Sequence, residues 1–154
     1  MIQLEETRDV GYLDFIFNHP DIRDAFADDR NSFTMLTVKK LMDTPGAHAL
    51  KVTRDGQQGG WIMSVPIEGE PGWCEVHVAF LPNCRGIHAV EAAYEAITWH
   101  EERFGPLRIR MRVRADNAPA LLFNEWCGLK EVGREISDKL KNGQPMKLVI
   151  FERK

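Results

Sequence analysis

Apolar residues along this chain switch between a spacing of about 3.6 and a spacing of two, and the switches divide it into elements. Residues 2–4 predict a short strand. Val10, Leu13, Phe15, Ile16 and Phe17 then fall at helical spacing as far as His19-Pro20, because the residue before a proline is steered away from helical geometry. Ile22, Ala25 and Phe26 predict a second helical turn before the polar break Asp28-Asp29-Arg30-Asn31. Residues 36–42 predict another helix, stopped by Thr44-Pro45-Gly46. From Ala47 the period becomes two. Residues 47–54 and 60–67 alternate around Asp55-Gly56, a hairpin signal. After the turn-rich residues 68–72, residues 73–81 predict a strand with Cys74, Val76, Val78 and Phe80 on one face.

The strongest helix signal covers residues 85–104, with Ile87, Val90, Ala93, Tyr94, Ile97 and Phe104 as its apolar face and Gly105-Pro106 as its stop. Leu107, Ile109, Met111 and Val113 then alternate with Arg108, Arg110, Arg112 and Arg114, which predicts an amphipathic strand. Asp116 or Asn117 can cap a helix reaching Trp126, with Gly128 past its end. Residues 130–140 and 146–153 predict a final hairpin, because the intervening Asn142-Gly143 is a type I′ turn signal. The order of strand, helices, three strands, long helix, strand, helix and hairpin is that of an α+β protein. It contains no repeat and no linker, so residues 1–154 read as a single domain.

Composition narrows the function classes. A hydrophobic share of 44% and a charged share of 28% fit a globular domain and exclude a disordered or fibrous chain. A net charge of -3 predicts no general attraction to nucleic acid or to an anionic membrane. No apolar run has membrane-spanning length, and MIQLEETRDV lacks the basic and apolar regions of a signal peptide. Cys74, Cys84 and Cys127 are odd in number and contain no CxxC pair, and the five histidines show no HxxxH or HExxH spacing. The expectation is a cytoplasmic protein without a disulfide framework or a metal site.

The most informative segment is the turn between the fourth strand and the long helix, Leu81-Pro82-Asn83-Cys84-Arg85-Gly86-Ile87-His88-Ala89. The first amides of a helix have no partner within it and lie at the positive end of its dipole, so such a turn can bind phosphate. Gly86 would let the anion approach, and Arg85 would add a charge. The pattern Asn83-x-x-Gly86-x-His88, with its Arg85-Gly86 pair, resembles the pyrophosphate loop of the GNAT acetyltransferase superfamily. Asn117-x-x-Ala120, followed by a helix ending at Gly128-Leu129, resembles a second GNAT segment, and the element order agrees over nearly the whole chain. Two positions depart from the pattern. His88 stands where the family has a small residue, and Asn124 stands where family enzymes often carry a tyrosine that protonates the leaving thiolate.

The resemblance implies a GNAT-like single domain, with a mixed central sheet of about seven strands flanked by helices. It implies acetyl-CoA as co-substrate, bound by Val78, Ala79, Phe80, Arg85, Gly86, Ile87, His88, Ala89 and Asn117. The acceptor would be an amine on a small molecule or a protein. Its choice would rest on residues 10–42 and the loop 140–145. Glu75 is the first candidate for general base and His77, two residues on along the same face, the second. Glu75 equally reads as a strand carboxylate paired with an arginine, and His77 as a hydrogen-bonded strand residue. Cys127 could offer a proton or simply be a small buried thiol. The arginine row of residues 108, 110, 112 and 114 reads as a solvated face paired with carboxylates such as Asp116, Glu131 and Glu135. The four tryptophans read as core or half-buried anchors. An exposed edge strand makes a homodimer an expectation. The stretch Asn18-His19-Pro20-Asp21-Ile22 with Ala27-Asp28-Asp29 also resembles GNAT-like proteins of tailed phages. That likeness implies, as an alternative, a structural or assembly protein with little catalysis.

Overall fold

The computed structural model describes residues 1–26 and 35–154. The polar break at residues 28–31 lies outside them. The elements are β1 (Ile2–Thr7), α1 (Val10–Phe17), α2 (Pro20–Phe26), α3 (Met35–Met42), β2 (His48–Arg54), β3 (Gln57–Pro66), β4 (Trp73–Phe80), α4 (Ile87–Phe104), β5 (Arg108–Arg114), α5 (Ala118–Trp126), β6 (Lys130–Lys141) and β7 (Gln144–Arg153). The expected α+β order is therefore present, with boundaries moved by a few residues.

The strands form one seven-stranded mixed sheet in the order β1-β2-β3-β4-β5-β7-β6. β4 and β5 run parallel, and the other pairs are antiparallel. Both predicted tight turns appear. Asp55 and Gly56 have φ of 51° and 79°, and Asn142 and Gly143 have 52° and 74°. Two successive positive φ values match the right-handed twist of the joined strands.

Each face of the sheet carries its own core. On one face Leu13, Ile16, Phe17, Ile22, Val38 and Met42 pack over Ala47, Ala49, Trp61, Met63, Val65 and Ala79. Trp61 is fully buried, donates its indole N–H to the Leu13 carbonyl at 3.2 Å, and meets the edge of Phe17 at 4.2 Å between centroids. On the other face α4 and α5 cover Leu50, Val52, Ile62, Phe80, Ile109, Met111 and Val149.

The long helix buries only part of the stripe that its sequence suggests. Ile87, Tyr94 and Phe104 are 67%, 50% and 53% exposed, and the buried positions are Ala89, Val90, Ala92, Ala96 and Ile97. Small residues let α4 lie close to the sheet, and that rotation turns its bulkier side chains outward. Of the tryptophans, Trp61 is core, Trp73 and Trp99 are half-buried, and Trp126 is exposed.

Candidate active site

β4 has neighbours on both sides for only part of its length. β3 follows it from Cys74 to Phe80 without a shift in register. Parallel β5 pairs only with Trp73, Cys74 and Glu75, through Arg108, Ile109 and Arg110. β5 then continues along β7 as far as Arg114. Beyond Glu75 the two parallel strands part, and among the described residues no strand pairs with the edge of residues 76–80. Leu81 donates its amide to the Gly59 carbonyl on β3 at 2.9 Å. Strand alternation therefore turns the amides of His77 and Ala79 toward β3, and those of Val76, Val78 and Phe80 into the split.

A short 3-10 turn at Pro82–Cys84 leads from the end of β4 to Gly86, which has φ 66° and ψ -132°. That conformation is open to glycine and strained for other residues. A Cβ on Gly86 would meet nothing within 4 Å, so the space in front of the turn is clear. The first amides used within α4 are those of Ala89 and Val90, both donated to the Gly86 carbonyl, at 3.1 and 3.2 Å. The amides of Gly86, Ile87 and His88 precede them and have no intrahelical acceptor. They head an 18-residue helix whose dipole favours an anion there.

Arg85 serves the turn in another way than its charge suggests. Its Nε donates to the Phe80 carbonyl at 3.1 Å and its Nη2 to the Asp21 carbonyl at 2.8 Å. The guanidinium thus ties the end of β4 to α2. Asn83 is structural too, since its side chain donates to the Gln58 carbonyl and its own carbonyl accepts from Arg54. Ala89 is buried, with its amide inside the helix. Asn117 caps α5, its Oδ1 accepting the Ala120 amide at 3.3 Å.

The split opens on both faces of the sheet. Cys74, Val76 and Val78 pack toward α4 and α5, whereas Ala79 packs toward α1 and α3. Glu75 and His77 share the Ala79 face by alternation, opposite the face that α4 covers. Two reactants could therefore meet in the split from opposite sides. Burial pushes the His77 imidazole below its ordinary value of 6.5, an effect that Glu75 opposes and Arg112 reinforces. His77 is thus neutral at pH 7 and able to accept a proton. Glu75 instead accepts a hydrogen bond from Arg112 Nη1 at 2.8 Å, while Arg112 Nε donates to Glu135 at 3.0 Å.

Arg110 and Arg114 of the same row are paired with carboxylates as well, whereas Arg108 lies over the Trp73 ring at 5.9 Å from its centroid. Arg110 donates to both carboxylate oxygens of Glu70 and to Glu152, and Arg114 donates to Asp116. Glu131, expected as a partner of the row, pairs with Arg134. Asn124 is buried, and its Nδ2 donates to the Ala120 carbonyl at 2.8 Å within its own helix. Its Oδ1 is buried without a hydrogen-bond partner. Cys127 is likewise buried, and desolvation pushes its thiol up to about 12. Neither offers an accessible proton. Tyr12 donates its hydroxyl to the Gly60 carbonyl at 2.8 Å, and burial pushes it up to about 12, so it too retains its proton.

Gly60 was not singled out from the sequence. It has φ 141°, and a Cβ there would stand 1.9 Å from the Ala79 carbonyl oxygen. The adjacent Gly59-Gly60 pair inside a strand was the available signal, since glycine in a strand often marks a close backbone approach.

No protein-family model matches the chain, and no curated protein does. Solved structures do. A spermidine N-acetyltransferase from Vibrio cholerae, solved with CoA and spermine, is 15% identical, with 99% of this chain and 94% of that one covered at a TM-score of 0.79. The chain has the GNAT fold. A candidate phosphinothricin N-acetyltransferase is 18% identical over 100% of this chain and 98% of its own, also at 0.79. An N-acetyltransferase from Staphylococcus aureus Mu50 is 10% identical over 99% and 96%, at 0.76. The GNAT fold thus spans the whole chain with little sequence likeness behind it. No helix among the described residues is long and apolar enough to cross a membrane. Of the phage-like stretch, His19-Pro20-Asp21 opens α2, with His19 Nδ1 accepting the Asp21 amide. Its second part, Ala27-Asp28-Asp29, lies outside the described residues.

Proposed function

We propose that this protein is an acetyl-CoA-dependent N-acetyltransferase, with the β4–β5 split as its active site. The observation that carries this reading is the split itself, with cleft-facing amides on β4 and a phosphate-accepting turn at Gly86 directly after that strand. The pyrophosphate of CoA is held by the amides of Gly86, Ile87 and His88, and the His88 side chain lies beside it. Arg85 positions the turn through Phe80 and Asp21. The pantetheine arm enters the split, where the Val78 and Phe80 amides bond it and polarise the thioester carbonyl. Asn117 holds the start of α5 at the cleft.

His77 is the general base. A neutral amine attacks the carbonyl carbon from the α1–α3 face, the C–N bond forms, and the C–S bond breaks. The nitrogen proton passes to His77, and the thiolate leaves to be protonated by the imidazolium or by water. A thiol of pKa about 8.5 is a good enough leaving group to depart without a dedicated acid. That chemistry accommodates Asn124 in place of a tyrosine. Glu75 positions Arg112 and tunes His77 through its charge.

The acceptor carries cationic groups besides the neutral amine that reacts. Glu70, Glu75, Glu135, Glu152 and Asp116 outnumber the arginines they pair with, Arg110, Arg112 and Arg114. The fold neighbour solved with spermine supports the same class. The test is thiol release from acetyl-CoA, measured with a chromogenic disulfide across a panel of primary amines including polyamines and aminoglycosides. Amine-dependent thiol release that disappears in His77→Gln is expected. Absence of release with every amine, although acetyl-CoA binds, would overturn the catalytic reading.

A further inference from the structure

The small-residue face of α4 leaves a gap above the sheet. A cavity of about 50 Å³ lies there, walled by Ala93 and Ala96 of α4, Val76 and Val78 of β4, and Ile109 and Met111 of β5. Val76 and Val78 belong to the stretch of β4 that has lost its β5 partner, whereas Ile109 pairs with Cys74 in the closed half and Met111 follows the last pair. The cavity therefore lies beneath the point where the two strands part. It reaches beneath α4 toward His100 near the end of that helix and Leu107 just before β5. His48, Ser64 and His100 are the polar residues on a wall otherwise built from apolar side chains.

We infer that this cavity receives the acyl chain of the thioester, so that the preferred donor carries about four carbons. The inference rests on the acyl-CoA reading above and adds the identity of the acyl group to it. An apolar cavity of about 150 Å³ stays dry and accepts the six carbons of benzene, so on the same scale 50 Å³ takes about two. Two methylenes beyond the acetyl group give butyryl. A longer chain would have to force α4 from the sheet, because packed interiors do not yield to extra volume without strain. The transfer chemistry is unchanged: the C–S bond of the butyryl thioester breaks, the C–N bond forms, and free CoA leaves.

The experiment is calorimetric titration of the full chain with CoA, acetyl-CoA, butyryl-CoA and octanoyl-CoA, which requires no acceptor. Each buried methylene strengthens binding about four-fold, so butyryl-CoA, with two more, is expected to bind about fifteen-fold tighter than acetyl-CoA. Octanoyl-CoA is expected to bind no tighter than butyryl-CoA. Ala96→Leu fills the cavity and should abolish the butyryl advantage while leaving acetyl-CoA affinity unchanged. Ala93→Leu makes the same test from the neighbouring turn if Ala96→Leu does not fold. CoA binding with equal affinity for acetyl and butyryl thioesters would overturn this inference alone, as would an advantage that survives the filled cavity. Failure to bind CoA itself would overturn the function reading and this inference with it.

Discussion

The two halves of β4 have opposite fates. Cys74 and Glu75 are paired on both sides, by β3 and by β5, and Trp73 pairs with β5 while its carbonyl accepts the Ile67 amide. Above them Arg110 links Glu70 of the β3–β4 connection to Glu152 of β7, and Arg112 links Glu75 to Glu135. Residues 76–80 have β3 alone and present three amides to the split. The closed half joins the two strands, and in the proposed function the open half supplies the binding edge. A backbone edge costs free energy when it is buried and unpaired, so leaving one open is affordable only where something binds to it.

Breaking the support of the open half should have the largest effect. Gly60→Ala drives a Cβ toward the Ala79 carbonyl at a φ disallowed for alanine. A loss of about 3 kcal/mol or more, or failure to fold, is expected in denaturant titration. Wild-type stability in that variant would mean that β3 does not hold the open half as described. Next comes the base. His77→Gln should lower kcat by about 10²-fold or more with CoA affinity intact. A kcat within a factor of three of wild type would remove His77 from the mechanism.

The pH dependence follows with a smaller effect. Burial lowers His77 and His100 below their unfolded value of 6.5. The unfolded chain then takes up protons first, so this contribution to stability is complete above pH 6.5 and is lost as pH falls below it. Melting temperature should drop between pH 7 and pH 5.5, less steeply in His77→Gln, and a flat profile would contradict the burial. The smallest effect belongs to the closed half. Glu75→Gln keeps an acceptor for Arg112 and should lower kcat less than about ten-fold. A loss as large as that of His77→Gln would return the role of base to Glu75.

Much of this was legible in the residues because the relevant physics is local. The alternation of residues 73–81, the Gly86 turn and the long helix behind it mark a strand feeding an open helix start, and the two type I′ turns follow from Asp55-Gly56 and Asn142-Gly143. Legibility ends where a side chain's partner comes from a distant element. Arg85 reads as a phosphate ligand until α2 brings the Asp21 carbonyl to it. The α4 stripe reads as Ile87, Tyr94 and Phe104 beside Val90, Ala93 and Ile97, until close packing buries Ala89, Ala92 and Ala96 and leaves the first three exposed. The divergence of β4 from β5 after Glu75 has no local signature in either strand.

The most direct test of the account is calorimetric titration of CoA into wild type and into Gly86→Asp, with folding checked by circular dichroism. The substitution strains the turn and sets a carboxylate before the amides of Gly86, Ile87 and His88. The account predicts saturable one-to-one binding by the wild type, weakened on the order of a hundred-fold or more in the folded variant. Equal affinity in the two proteins, or no binding by the wild type at millimolar CoA, would contradict it.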